Sequence, residues 1–158
     1  PDLARARHAL QRLGATGPDV DHQTDTYFRV PHGRLKLREG TVERALIHYA
    51  RPDAAGPRRS DVTLYPTGPD AGALKAALAA ALGVRGVVKK VREIYWADNV
   101  KLHLDRVEGL GTFVEAEAIA RDGDTEEALR AQCERVLDAL GVAPNDLVAG
   151  SYVDLLSA

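Results

Sequence analysis

Apolar and polar residues alternate with two different periods along this chain of 158 residues, and each change of period marks an element. A helical period runs through Leu3, Ala6, Leu10 and Leu13 and stops at Gly14, which predicts an opening helix. A second helix begins near Pro69 and Asp70, turns Leu74, Ala77, Leu78 and Leu82 inward, and ends at Gly83. The third is the clearest. Asp124 and Glu127 give it a start resembling a capping box, Leu129, Cys133, Val136, Leu137 and Leu140 form its buried stripe, and Gly141 stops it. Between the helices a period of two predicts seven strands, at roughly 20–29, 33–39, 43–51, 59–65, 86–97, 99–106 and 112–120. Short turns join most of them, so the expected fold class is α+β, an antiparallel meander with a few helices. The stretch RPDAAGPRR, Arg51 to Arg59, reads as a mobile loop rather than a domain boundary, and residues 1–158 are read as a single domain.

The charged positions of these strands fall on one side. In GRLKLRE, Arg34, Lys36 and Arg38 share a face while Leu35 and Leu37 share the other. Ile47, Tyr49 and Arg51 alternate in the same way, as do Lys90 and Arg92. The segment KLHLDRVEGLGTFVEAEAI, Lys101 to Ile119, places Lys101, His103 and Asp105 on one face of its first strand and Glu115 and Glu117 on one face of its second. A tight hairpin then gathers Asp105, Glu115 and Glu117. Like charges so close resist ionising together unless a cation joins them, and a hard metal with oxygen ligands, Mg²⁺ or Mn²⁺, answers that need. A plainer reading makes the Glu-x-Glu face the solvated side of a sheet. An open sheet turns the charged face to water, whereas a closed barrel turns it inward around a lumen of cations and carboxylates. A triphosphate bridged to the acids by a divalent metal satisfies both sets of charges in such a lumen.

Composition narrows the classes. A net charge of −2, a pI near 6.2 and 5% aromatic residues argue against a general nucleic-acid surface. The one cysteine, Cys133, sits on a helical stripe, so it reads as packing, excludes an internal disulfide and suits a reducing cytoplasm. No apolar run approaches the ~20 residues that span a bilayer, so no membrane partner is expected. There is no P-loop, and Gly109-Leu110-Gly111 lies in a hairpin rather than ahead of a helix, so it is no dinucleotide fingerprint. The histidines lack zinc spacing, and His103 reads as a neutral residue lining the charged face. Tyr27, Tyr49 and Tyr95 read as packing residues, and Ser151 and Tyr152 as ties for the C-terminus.

Seven segments together resemble one family: QTDTYF at 23–28, GRLKLRE at 33–39, LIHYAR at 46–51, RRSD at 58–61, KKVREIYW at 89–96, KLHLDRVEGLGTFVEAEA at 101–118 and SYVDLL at 151–156. In this order they resemble the CYTH superfamily of triphosphate tunnel metalloenzymes, and within it the class IV adenylyl cyclases. The resemblance implies an antiparallel eight-stranded β-barrel forming a tunnel flanked by helices. It implies that Arg38, Arg51, Lys90 and Arg92, with Lys36 and Arg59 beside them, hold the triphosphate. Asp105, Glu115 and Glu117 fall on the acidic, metal-binding side, and Asp105, Glu115, Lys90 and Arg92 are the implied catalytic set.

The family opens with a strand carrying Glu-x-Glu-x-Lys, and this sequence starts at Pro1 on the helix that follows it. The expectation is a first strand missing from this chain and lying ahead of Pro1, because a seven-stranded remnant leaves two unpaired edges along a polar lumen. Three functions are expected to compete on such a chain, acting as a monomer or homodimer. The first is an adenylyl cyclase making cyclic AMP and pyrophosphate from ATP, and the second a triphosphatase acting on thiamine triphosphate or inorganic tripolyphosphate. The third is a barrel that binds polyphosphate without turning it over.

Overall fold

The structure, a computed structural model, describes residues 1–51, 55, 57 and 59–158. The chain runs through α1 (Leu3–Arg12), β1 (Thr16–Phe28), β2 (Arg34–Glu39), β3 (Arg44–Ala50), β4 (Asp61–Pro66), α2 (Gly72–Leu82), β5 (Val84–Ala97), β6 (Val100–Val107), β7 (Gly111–Ala118) and α3 (Glu126–Ala139). A 3₁₀ turn at Pro144–Asp146 and the short α4 (Tyr152–Leu156) close it. The Asp2 carboxylate caps α1 by accepting the Ala4 and Arg5 N–H groups at 2.9 and 3.3 Å, and Thr125 caps α3 through Ala128. Most of the 51–59 loop, with Arg58 among its residues, lies outside the described residues.

All strands belong to one antiparallel sheet in the order β4-β3-β2-β1-β5-β6-β7. Among the described residues the sheet has the seven strands that the alternation predicts and is open, with β4 and β7 each paired on one side only. The eighth strand that the resemblance implies is not among them. One correction concerns β1, which begins at Thr16 rather than near residue 20. Gly17-Pro18 reads as a breaker in sequence, yet the β1–β5 ladder steps over it, pairing Thr16 with Trp96 and then Asp19 with Ile94.

The two faces of the sheet carry different chemistry, as the alternation demands. On the outer face Tyr95, Leu102 and Leu104 pack against Leu3, Ala6, Ala9 and Leu10 of α1 and Leu140 beyond α3. Beside them Phe28 and Leu37 lie under Leu74, Leu78 and Leu82 of α2. Leu10, Phe28, Leu37, Leu102 and Leu104, which are fully buried, contribute roughly 1.5–3 kcal/mol each, and the half-buried leucines of α2 less. The inner face is left to the charged residues, except at one end. There Tyr27, Ile47, Tyr49, Val88 and Val107 form an apolar cluster with Val153 of α4, which lies across them.

Gly86 makes that covering possible. A Cβ on Gly86 would stand 2.9 Å from Cγ2 of Val153. Gly86→Ala should therefore push α4 off the cluster and destabilise the fold by about 1–3 kcal/mol, the usual range for overpacking. Chemical denaturation measures it. An unchanged midpoint would show that α4 rests only loosely on the sheet.

Candidate functional site

The inner face is organised around a carboxylate that no solvent reaches. Asp25 on β1 accepts from Nε and Nη2 of Arg38 at 2.9 and 2.8 Å, from Lys36 Nζ at 3.1 Å and from Lys90 Nζ at 2.9 Å. Register explains the convergence. Asp25 stands opposite Arg38, and Tyr27, two residues on, stands opposite Lys36. Lys90 arrives from the other side, opposite Gln23. Burial alone would raise the Asp25 carboxyl, but Lys36, Arg38 and Lys90 together hold it well below the usual carboxylate range. The same burial acts on its partners, drawing Lys36 down to about 7 and lowering Lys90, whose neighbour Arg92 adds repulsion.

A second node joins β5, β6 and β7. Arg92 forks onto Asp105 through Nε at 2.7 Å and Nη2 at 2.5 Å, and Nη2 also reaches Glu115 at 2.9 Å. Tyr152 of α4 donates its hydroxyl to Asp105 at 2.8 Å. His103 Nδ1 lies 3.2 Å from Glu115 Oε2. Burial, and then Arg92, lower the His103 pKa, so the ring is neutral at pH 7 as expected from sequence. The hydrogen bond to Glu115 assigns its proton to Nδ1 and leaves Nε2, which has no partner among the described residues, as an acceptor. Burial would raise Glu115, but Arg92, with help from His103 and Lys90, holds it well below its ordinary value.

A third node was not foreseen. Glu43, at the end of the β2–β3 return, accepts from Arg38 Nη1 at 3.1 Å, from Gln23 at 3.3 Å and from Lys101. Asp21 fixes that return by accepting the Val42 and Glu43 N–H groups, each at 2.9 Å, and the Thr41 hydroxyl at 3.1 Å. Asp21 and Asp25 share the face of Tyr27 by strict alternation, which is the sequence signal that could have revealed both.

These nodes have a common geometry. Asp21, Asp25 and Asp105 are 0% exposed and form a floor, while Lys36, Arg38, Lys90 and Arg92 line a cavity of about 1780 Å³ above it. Each of these cations is tied to a buried acid and is itself largely buried in the cavity wall. That volume exceeds the ~300–1,000 Å³ typical of small-molecule pockets. Arg51 also lines the cavity, donating to the Gly150 carbonyl at 3.3 Å and lying 5.5 Å over the Tyr49 ring. Arg59 stays at the exposed rim, paired with Asp61 at 3.2 Å, and joins neither cation group.

The expected trio of Asp105, Glu115 and Glu117 shares one face, but only Asp105 and Glu115 come together, both on Arg92 Nη2 at 2.5 and 2.9 Å. Asp105 stands opposite Phe113, Glu115 opposite His103 and Glu117 opposite Lys101. Asp105 is taken by Arg92 and Tyr152, and Glu117 is exposed. Among the described residues no group of three or more His, Cys, Asp or Glu side chains is arranged to hold a metal ion. Glu115 and Glu117, two residues apart on the same face of β7, make an all-oxygen donor pair, in which Glu115 is also held by Arg92 and His103. It fits Mg²⁺ or Mn²⁺ bound by two carboxylates and completed by water and phosphate, the usual coordination of Mg²⁺ on nucleotides.

Asp25 gives a stability test. Its carboxyl is depressed in the folded state, so its contribution is present above the unfolded carboxylate pKa and is lost as pH falls through the folded one. Asp25→Asn leaves Lys36, Arg38 and Lys90 buried without their anion, and should cost about 3–5 kcal/mol at pH 7. Denaturant titrations at pH 7 and near pH 3 should show the gap between variant and wild type closing in acid. A constant gap would assign the loss to packing instead of charge.

Comparison with known proteins follows this geometry closely. A protein of Pyrococcus horikoshii superposes with a TM-score of 0.84 at 26% identity, covering 98% of this chain and 94% of its own. A structure from Vibrio parahaemolyticus, titled a "putative adenylate cyclase", shares the fold at a TM-score of 0.73 and 20% identity, over 98% of this chain and 91% of that one. In sequence, a Methanocaldococcus jannaschii protein named "Putative adenylate cyclase" is 31% identical over 68 residues, 43% of this chain. The match spans 39% of that relative's length. The CYTH domain itself matches residues 1–152, nearly the whole chain, and the protein therefore belongs to the CYTH family.

Proposed function

We propose that this protein is a metal-dependent enzyme acting on a triphosphorylated organic substrate, with adenylyl cyclase chemistry as the best reading. One observation carries it: Lys36, Arg38, Lys90 and Arg92 converge on a single cavity, each backed by a buried acid. A triphosphate accepts charge-assisted hydrogen bonds from such a set while the buried acids keep the donors aimed. The CYTH family is metal-dependent and works on triphosphates such as ATP, and the named relatives favour the cyclase. An eighth strand pairing with β4 and β7 would close the sheet into the tunnel that the family resemblance implies.

In this reading Lys36, Arg38, Lys90 and Arg92 bind the outer phosphates, with Arg51 beside them. Asp25 and Asp105 position the cations, and Tyr152 fixes Asp105. Glu115 and Glu117 would hold Mg²⁺ or Mn²⁺, which when bound neutralises phosphate charge as the leaving group departs. The ribose 3′ oxygen bonds to the α-phosphorus and releases its proton, while the bond to the bridging oxygen breaks and its electron pair leaves with pyrophosphate. Tyr27 and Tyr152 stay protonated because burial raises both phenols. They serve as hydrogen-bond donors rather than bases.

Lys36 makes binding pH-dependent. An anion beside it restores its charge, so a triphosphate binds with uptake of a proton and should weaken as pH rises through about 7. Isothermal titration with tripolyphosphate from pH 6 to 9 should show this slope. Phosphate titration alone survives in Lys36→Met, so an identical slope in that variant would place Lys36 outside the binding set.

Products decide the reaction. With ATP and Mg²⁺ or Mn²⁺, a cyclase releases cyclic AMP and pyrophosphate in equal amounts, and a chelator abolishes both. Orthophosphate, or faster turnover of thiamine triphosphate or tripolyphosphate than of ATP, would identify a triphosphatase. Binding of tripolyphosphate without turnover of any of these would make the face a binding site alone.

A further inference from the structure

The cation set fixes where phosphates go, and the rest of the inner face shows where the organic group must lie. One end is filled. Tyr27 and Tyr49 are buried there, Lys36 sits 5.5 Å from both ring centroids, and α4 lies across them with Val153 fully covered. The half-buried Phe113 and Tyr152 rings meet at 4.9 Å with their planes tilted by 52°, and the Tyr152 hydroxyl is committed to Asp105. The aromatic side chains described at that end are thus engaged with one another and with the core.

The other end is different. Along β5 the inner face reads Lys90, Arg92, Ile94, Trp96, and Trp96 lines the same cavity as the cations. It is the chain's one tryptophan and is 38% exposed. Four residues of strand place it about 13 Å beyond Arg92. That separation matches the reach from the outer phosphates to the base of an extended nucleoside triphosphate. Lys101, opposite Trp96 in register, sets its ammonium 5.7 Å from the ring centroid and is tied to Glu43. The indole is thus steadied on one side by a tethered cation while part of its surface stays open to the cavity.

On the reading that triphosphate binds Lys36, Arg38, Lys90 and Arg92, we propose that Trp96 is the stacking platform for a flat aromatic heterocycle attached to that triphosphate. The substrate is then an organic triphosphate and not inorganic polyphosphate, and Trp96 is the residue that makes the distinction. Glu43 and Lys101 hold the platform from below. Nothing else among the described aromatic residues combines exposure with a place on this line of cations.

A single tryptophan makes the test direct. ATP added to the full chain with Mg²⁺ should quench its fluorescence by stacking, while tripolyphosphate, binding the cations alone, leaves emission nearly unchanged. Trp96→Ala should weaken ATP by about tenfold, within the range for base–aromatic stacking, and leave tripolyphosphate affinity as in wild type by isothermal titration. Trp96→Phe, which keeps a ring and guards against misfolding of the alanine variant, should fall between them. Thiamine triphosphate, run in parallel, separates a nucleobase from another heterocycle: tight binding lost in Trp96→Ala identifies whichever ligand uses the platform. If ATP and tripolyphosphate bind equally well to wild type and to both variants, the platform is refuted and the phosphate site stands. If neither ligand gives heat with wild type, the phosphate site is refuted and the platform falls with it.

Discussion

The inner face depends on one buried charge. Without Asp25, Lys36, Arg38 and Lys90 would stand together in a desolvated space with only Glu43, bonded to Arg38, to offset their repulsion, which opposes the register that joins β1, β2 and β5. The aspartate does not merely neutralise. By accepting two parallel bonds from Arg38 it sets the plane of that guanidinium, and by drawing both lysines downward it fixes the height of their ammonium groups. Rigid cations on a strand scaffold lose little freedom when an anion arrives, which favours affinity for a polyanion.

Asp105 repeats the device one strand further on. Arg92 is to Asp105 what Arg38 is to Asp25, and both pairs span β-ladder neighbours in direct register. The sequence alternation placed every one of these residues on the same face, and the reading of an antiparallel meander came from the same alternation. What the alternation could not show was which charge answers which. Three acids on one hairpin read as a metal trio because the cation that joins Asp105 and Glu115, Arg92, comes from the preceding strand, β5, and the alternation records faces, not which charges meet across them.

Other readings went astray for similarly physical causes. Gly17-Pro18 carries every mark of a turn, yet the strand continues past it because β5 offers partners on both sides of the irregularity. Leu13 continues the helical stripe in sequence but is the C-cap of α1 and lies exposed, since the helix ends one residue before it. Asp21 acts largely on backbone N–H groups of the β2–β3 return, and Glu43 sits in that return, outside any strand whose alternation would assign it a face. The fold class and the charged face were legible because they rest on periodicity. Closure and pairing were not, because they rest on contacts distant in sequence.

That distance has a consequence for how the chain acquires its structure. Arg38 is 13 residues from Asp25 and reaches it through the β1–β2 hairpin, whereas Lys90 is 65 residues away and arrives only when β5 docks. The hairpin can therefore neutralise its own aspartate early, with local loop closure, and wait. Docking of β5 along β1 must then close a long loop against chain entropy before any of its contacts form, which makes that step the natural bottleneck of folding. Until it occurs, the β5–β6–β7 meander stays separate from the β1–β2 hairpin, and the partly folded chain carries an open edge on β1.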